Sequence, residues 1–370
     1  MKLTRILHAY SLALLFSLTL VLAASEAQVT MAQAKRANQA NQAKLFKNPN
    51  VVASGISVDA NGDAIVKVYT KNANFRGIPM QLDNVNVHVR QTGAIRAFDD
   101  DSDARKGKPP GKGGGGGGGG TSPRDRFARP VPIGVSIGST GPNYCFAGTL
   151  GCRLKAVDLN SGQVSHYILS NNHVIAGENS GNVGQDGILQ PGTLDNGCVL
   201  DMNDVIGTLN QFVPIKFGGA ANYVDAAIAS TTSATTGFAT PSASYGAPTS
   251  NTVANPAINL IVQKYGRTTE HTQGYVDAVN VTVNVGYDGG TARFENQIII
   301  IGRRQRGKKY VDTSFSDSGD SGSLIVSDPD KNPVGLLFAG NSSVTIANPI
   351  NEVLDAFSDG STLFMVDDGN

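Results

Sequence analysis

The chain has no tryptophan, only three cysteines and no surplus of charge of either sign, thirty Lys and Arg being matched by thirty Asp and Glu. Zero formal charge removes the general electrostatic case for nucleic acid or an anionic membrane as a partner. Cys145, Cys152 and Cys198 show no Cys-x-x-Cys spacing, and no His-x-x-x-His occurs, so neither a structural metal nor a cofactor is expected. Beyond residue 27 no stretch is long and apolar enough to cross a bilayer.

What is present begins with export. Residues 1–27 carry Lys2 and Arg5, then the short apolar run Ser11 to Ala23, then Ser25-Glu26-Ala27, the pattern of a cleaved secretory signal. The mature chain is therefore expected to be soluble and secreted, whether to a periplasm or to the medium. In an oxidising compartment three cysteines suggest one disulfide and one leftover thiol, with the pairing open.

With 40% apolar residues there is enough chain for one large domain and one small one. Residues 28–97 read as the small one, an α+β unit. Val29 to Phe46 lacks Gly and Pro and suits a helix, the turn Asp59-Ala60-Asn61-Gly62 joins two strand patterns, and Val85, Val87 and Val89 alternate with polar residues. His88 falls on the polar side of that strand and reads as a solvated surface residue.

Residues 98–125 read as a tether. Asp99-Asp100-Asp101, a basic stretch, two prolines and the eight glycines 113–120 cannot bury apolar surface. The small unit ahead of it is a candidate propeptide or accessory domain. From 126 to 370 short β patterns are punctuated by Gly, Asn and Pro, among them Val205 to Leu209, Phe212 to Phe217, Asn259 to Lys264, Val281 to Val285 and Gln297 to Ile301. One short helix, Ile350 to Phe357, is the exception. Two small antiparallel barrels would use this length.

One stretch organises the second domain. Ser316-Asp317-Ser318-Gly319-Asp320-Ser321-Gly322-Ser323 precedes an apolar run and holds a serine between glycines, which permit a tight turn. The amides of Gly319 and Ser321 could then converge as an oxyanion hole. A serine nucleophile needs a base, and the base an orienting acid. His173 follows the strand pattern Tyr167-Ile168-Leu169 at a barrel rim, whereas His166 and His271 read as surface residues. Asp225 is the lone acid in Asn222-Tyr223-Val224-Asp225-Ala226-Ala227-Ile228, where an unpaired carboxylate would be costly. The order His173, Asp225, Ser321 is that of the chymotrypsin template. A neutral imidazole base would make activity rise through about pH 6.5 to 7.

On these segments, residues 127–365 resemble the chymotrypsin-like serine proteases. Leu169 to Val174, Ile188 to Gly192, Gly266 to Thr269 and Val334 to Gly340 are similar to a bacterial secreted branch related to the plant narrow-leaf protein. The resemblance implies two six-stranded barrels with the triad between them, a secreted endopeptidase acting on protein or peptide, and an edge at Phe338, Ala339 and Gly340 against which extended substrate pairs. Three departures accompany it. No Ile-Val-Gly-Gly-like start exists to pair with Asp320; Phe315, at the position that would floor the first specificity pocket, is not an acid; and Ser323 replaces a glycine. Without that acid a preference for Arg or Lys loses its usual partner. The alternative is a catalytically silent extracellular binding module that keeps the fold.

Overall fold

A computed structural model describes residues 28–97, 122–142, 144–242 and 244–370. The expected secretory signal, residues 1–27, and residues 98–121 of the expected tether lie outside the described residues.

Helix α1 (Met31–Leu45) opens with a capping box, Thr30 and Gln33 each accepting the other's backbone amide, and covers β1 (Val51–Val58) and β2 (Ala64–Thr70). β3 (Gln81–Leu82), β4 (Val85–Gln91) and the two-residue β5 (Arg96–Ala97) follow. Next come β6 (Ser136–Ser139), β7 (Gly148–Thr149), β8 (Cys152–Asp158), β9 (Val164–Ser170), α2 (Asn172–Ile175), β10 (Gly187–Leu189), β11 (Val205–Phe212), β12 (Ala221–Asn222) and β13 (Ala227–Thr231). The remainder is β14 (Ile261–Gly266), β15 (Glu270–Tyr287), β16 (Gly290–Arg306), β17 (Lys309–Thr313), β18 (Leu324–Ser327), β19 (Pro333–Gly340), β20 (Thr345–Pro349), α3 (Ile350–Asp355) and β21 (Thr362–Val366).

These strands make two curled sheets, and the chain is mostly β. In the first, β21, β8, β9, β13, β11, β10, β6 and β7 pair in that order, antiparallel throughout, around a core that includes Ile137, Leu154, Ile168 and Ile228. In the second, β14, β15, β16, β20, β19 and β18 close on themselves as a six-stranded antiparallel barrel. Val262, Ile300, Phe315 and Ile325 are among the side chains that fill it. In this second set the closure into a ring gives each of the six strands a partner on both sides.

The expected strands Val281 to Val285 and Gln297 to Ile301 turn out to be pieces of one long hairpin, β15–β16. Its two-residue tip is Asp288-Gly289, and Gly290 at φ +130° carries the chain from the turn into β16. Asn280 and Asn296 sit at positive φ, 47° and 61°, where bulges bend both strands, and their side chains join at 2.7 Å. The expected strand from Phe212 to Phe217 is not formed. β11 instead runs through from Val205 to Phe212, and Pro214, which lacks an amide hydrogen, stands where a ladder would have to continue.

Past the bend, the outer half of β15 takes on β1 as a neighbour, with Ala53 opposite Val283 and Ile56 opposite Val279. The second sheet thus continues into β1, β2 and β4. At this junction Asp277 accepts from Lys67 Nζ at 2.6 Å and Tyr69 O–H at 2.7 Å, its carboxylate nearly enclosed. Burial, with Asp277 beside it, holds the Tyr69 phenol well above its ordinary pKa. Removing one member of an enclosed ion pair strands the other, so Asp277→Ala should lower unfolding free energy by about 3 kcal/mol, read from urea midpoints.

Cys145 and Cys198 form the disulfide, and Cys152 remains a buried thiol whose pKa burial raises.

Candidate active site

His173 lies in the first turn of α2, directly after β9, and Asp225 lies just before β13, the strand that pairs with β9. That pairing puts Ala227 opposite Ser170, so the two loop residues meet at the same end of the sheet. His173 Nδ1 is 2.6 Å from Asp225 Oδ2, and the His173 amide donates to Asp225 Oδ1 at 3.3 Å. Both side chains are fully enclosed. Tyr287, at the tip of β15, donates its O–H to the same Oδ2 at 2.8 Å and sets its ring edge-on to the imidazole, centroids 5.9 Å apart. The backbone of Asp225 is held as well. Its amide donates to Asn348 Oδ1 at 3.1 Å, its carbonyl accepts from Asn171 Nδ2 at 2.7 Å, and Asn348 Nδ2 donates to Gln297 Oε1 at 2.7 Å. A buried carboxylate with this many donors is held in one orientation, and so is the imidazole on it.

Ser321 sits in the loop between β17 and β18, 0% exposed, its Oγ donating to the Phe338 carbonyl at 3.3 Å. β7 fastens this loop to the first sheet: Thr149 N donates to the Ser321 carbonyl at 2.8 Å and Thr149 Oγ1 to the Gly319 carbonyl at 2.9 Å. Gly148 lies where a Cβ would meet both Val174, next to His173, and the Ser321 carbonyl, so the serine loop and the histidine turn flank one residue. Gly319 and Gly322 have φ of +90° and +93°, and a Cβ at Gly322 would collide with the Thr149 carbonyl. Only glycine fits there.

The loop also fixes which way its amides face. The Ser318 carbonyl accepts from Thr268 Oγ1 at 2.6 Å, and the Asp320 carbonyl accepts from Ser323 Oγ at 2.6 Å. In a trans peptide the following N–H points opposite to the carbonyl, so the amides of Gly319 and Ser321 face away from these partners. Among the described residues neither amide is engaged. The hydroxyl of Ser323, where the related motif has glycine, is thus a brace for the loop.

Asp320 has a cation of its own. Its Oδ2 lies 3.5 Å from Lys264 Nζ and accepts from Thr269 Oγ1 at 2.6 Å, while Oδ1 accepts from the amides of Thr268 and Thr269 at 2.9 and 3.1 Å. Lys264 is wholly buried, and desolvation lowers its pKa against the opposing pull of Asp320. No new N-terminus is required to hold Asp320. Beside this pair, Arg267 makes a bidentate bond with Asp195, at 2.6 and 2.7 Å, and so ties the second barrel to the first sheet.

Phe315 lies inside the closed barrel, its ring 5.8 Å from Lys264 Nζ and its carbonyl accepting from Thr272 Oγ1. Phe338, Ala339 and Gly340 form the end of β19, adjacent to Ser321. On the other side of His173 is a cavity of about 500 Å³ lined by Tyr144, Phe146, His173, Glu178 and Asp288 among others.

Several solved structures are similar to this chain. Cellulomonas bogoriensis chymotrypsin has 18% identity and a TM-score of 0.39 over 64% of this chain and 98% of its own. The Nocardiopsis protease NAPase has 18% identity and a TM-score of 0.40 over 63% of this chain and 98% of its own. For Thermobifida fusca protease A the figures are 16%, 0.40, 64% and 99%. The chain resembles the chymotrypsin-like serine proteases of bacteria. No family model matches it, and no curated protein matches it.

Tyr287, Lys264 and Asn348 escape sequence reasoning, and Thr268 and Thr269 enter it only as part of a segment of resemblance, without their role at Asp320. The Asp-Gly turn after Tyr287 marks a hairpin tip but not what its side chain meets.

Proposed function

We propose that the chain is an exported serine endopeptidase, with residues 126–370 as the protease domain and residues 28–97 as a propeptide or accessory domain. The observation that supports this best is the enclosed His173–Asp225 contact of 2.6 Å beside a serine loop with two outward amides. Asp225 fixes the imidazole as the tautomer with hydrogen on Nδ1, leaving Nε2 to take the Ser321 proton. The alkoxide attacks a peptide carbonyl, the Gly319 and Ser321 amides receive the negative charge, and the imidazolium protonates the leaving amine. Water then repeats the cycle on the acyl-enzyme.

Tyr287 is a positioning residue: its hydroxyl acts on the base through Asp225. Tyr287→Phe keeps the ring and deletes one hydrogen bond to a charged acceptor, and should lower kcat about tenfold with KM changed less than about twofold. Steady-state kinetics on one peptide substrate, with circular dichroism to verify folding, measure it.

The second reading, a silent binding module, draws on the engagement of Ser321 Oγ with the Phe338 carbonyl and the full burial of Ser321. Incubating purified secreted protein with a fluorescently labelled, denatured protein substrate separates the two. Endoproteolysis that rises as pH rises from 5 to 8 supports the enzyme, and no cleavage after the 98–125 segment has been cut supports the module.

A further inference from the structure

β5 makes a contact that the fold of neither unit requires. It pairs antiparallel with the end of β19, Ala97 opposite Ala339 and Arg96 opposite Gly340, and parallel with β15, Arg96 opposite Gly286. The Ile95 carbonyl accepts from the Gly286 amide at 3.1 Å, and the Ala94 carbonyl from Asn341 Nδ2 at 2.9 Å. Four residues of extended chain therefore fill a slot between two strands. As this segment runs from Arg96 to Ala97 its partner runs from Gly340 to Ala339, so it advances toward Phe338, whose carbonyl holds Ser321 Oγ.

The side chains alternate as they would in a bound peptide. Ile95 and Ala97, 3% and 5% exposed, enter the apolar cluster of Phe338, Ala339, Val344 and Tyr287, while Arg96 between them faces solvent. Tyr287 is the residue that bonds Asp225, so the cluster that takes Ile95 and Ala97 also borders the His173–Asp225 pair. The burial of both reactive groups, Ser321 at 0% and His173 at 4%, fits a slot already filled.

We propose that residues 94–97 are a peptide ligand of this site, held in the position of substrate by the chain's own N-terminal unit. The proposal rests on the protease reading for the meaning of the β19 edge, and it goes further by naming the ligand class. That class is an extended peptide, antiparallel to β19, with a branched aliphatic residue, any residue, then a small residue. Backbone pairing supplies affinity and the two apolar subsites supply selectivity. Because β1 is anchored on β15, the segment acts at an effective concentration in the millimolar range, and a free peptide competes poorly until the segment leaves.

The test uses the full chain with Ser321→Ala, which cannot turn peptide over. A fluorescent peptide of sequence Gly-Ala-Ile-Arg-Ala is titrated by anisotropy into this protein and into versions also carrying Ala97→Arg or Ile95→Ser, each checked for folding by circular dichroism. Putting charge or a hydroxyl into an apolar subsite should displace the segment, so the peptide should bind these versions at least about 30-fold more tightly than the parent. A control peptide with Glu at both buried positions should not bind. Equal binding to parent and both folded variants, or none to any, overturns the proposal and makes β5 a structural strand. If the peptide binds as expected while the chain with Ser321 intact hydrolyses nothing, the protease reading fails and the ligand assignment stands. Hydrolysis without the gain in binding has the opposite meaning.

Discussion

Ser321→Ala lowers kcat/KM for a peptide substrate by on the order of 10⁵- to 10⁶-fold, leaving a residual rate from the oxyanion donors and binding alone. The size follows from what the hydroxyl does: without it no acyl-enzyme forms, and His173 and Asp225 have no proton to move. The fold should not suffer. Ser321 Oγ makes a single bond of 3.3 Å, to the Phe338 carbonyl, whereas the loop is fastened through the backbone of Ser318 to Ser321 by Thr149, Thr268 and Ser323. Unfolding midpoints within about a degree of the parent, with activity gone, are the expected pair of results. A residual rate within tenfold of the parent would remove Ser321 as the nucleophile.

Asp225→Asn should cost about 10⁴-fold in kcat with little change in stability or KM. The amide fills the space of the carboxylate, but one of its two ends donates where both oxygens now accept. At Oδ2 the carboxylate takes His173 Nδ1–H and Tyr287 O–H together, and at Oδ1 the His173 amide. An NH₂ group at the imidazole forces Nδ1 to accept, which moves the hydrogen to Nε2, where it blocks uptake of the serine proton. An NH₂ at the other end faces the His173 amide instead. The first rotamer breaks two donor–acceptor matches, which a tautomer change in His173 and a turn of the Tyr287 hydroxyl can absorb, and the second breaks one, so the loss is in orientation and tautomer rather than in folding. Crystallography of the variant and its pH–rate profile are the measurements: unchanged backbone with a rate down by four orders is expected, and a rate within about fiftyfold of the parent would mean that Asp225 does not orient the base.

Much of this site was legible in the chain because its chemistry is carried by local segments. A serine between glycines, a histidine closing a strand and a single acid in an apolar run each announce themselves by composition, and their order in the chain relates them. The helix 31–45 and the first hairpin were legible for the same reason, being built from local periodicity and a local turn. What escaped is long-range. Asn280 and Asn296 interrupt the alternation of β15 and β16, so two long strands read as short ones. Tyr287 reaches Asp225 only because the hairpin bends, and nothing near either residue encodes the meeting. Lys264 looks like one of many surface lysines until the barrel closes around it. β5 is two residues long, too short for any pattern, and its significance lies wholly in the edge it covers.

The most direct measurement is labelling of the purified protein with a fluorophosphonate probe, before and after the 98–125 segment is cut and the 28–97 unit released, followed by peptide mapping. An activated serine forms the phosphonyl ester on Ser321 and on no other serine, the cut protein labels faster than the intact one, and Ser321→Ala takes up none. Labelling absent from Ser321 in both forms, with the fold intact, would contradict the enzyme and leave a binding module whose slot holds peptide.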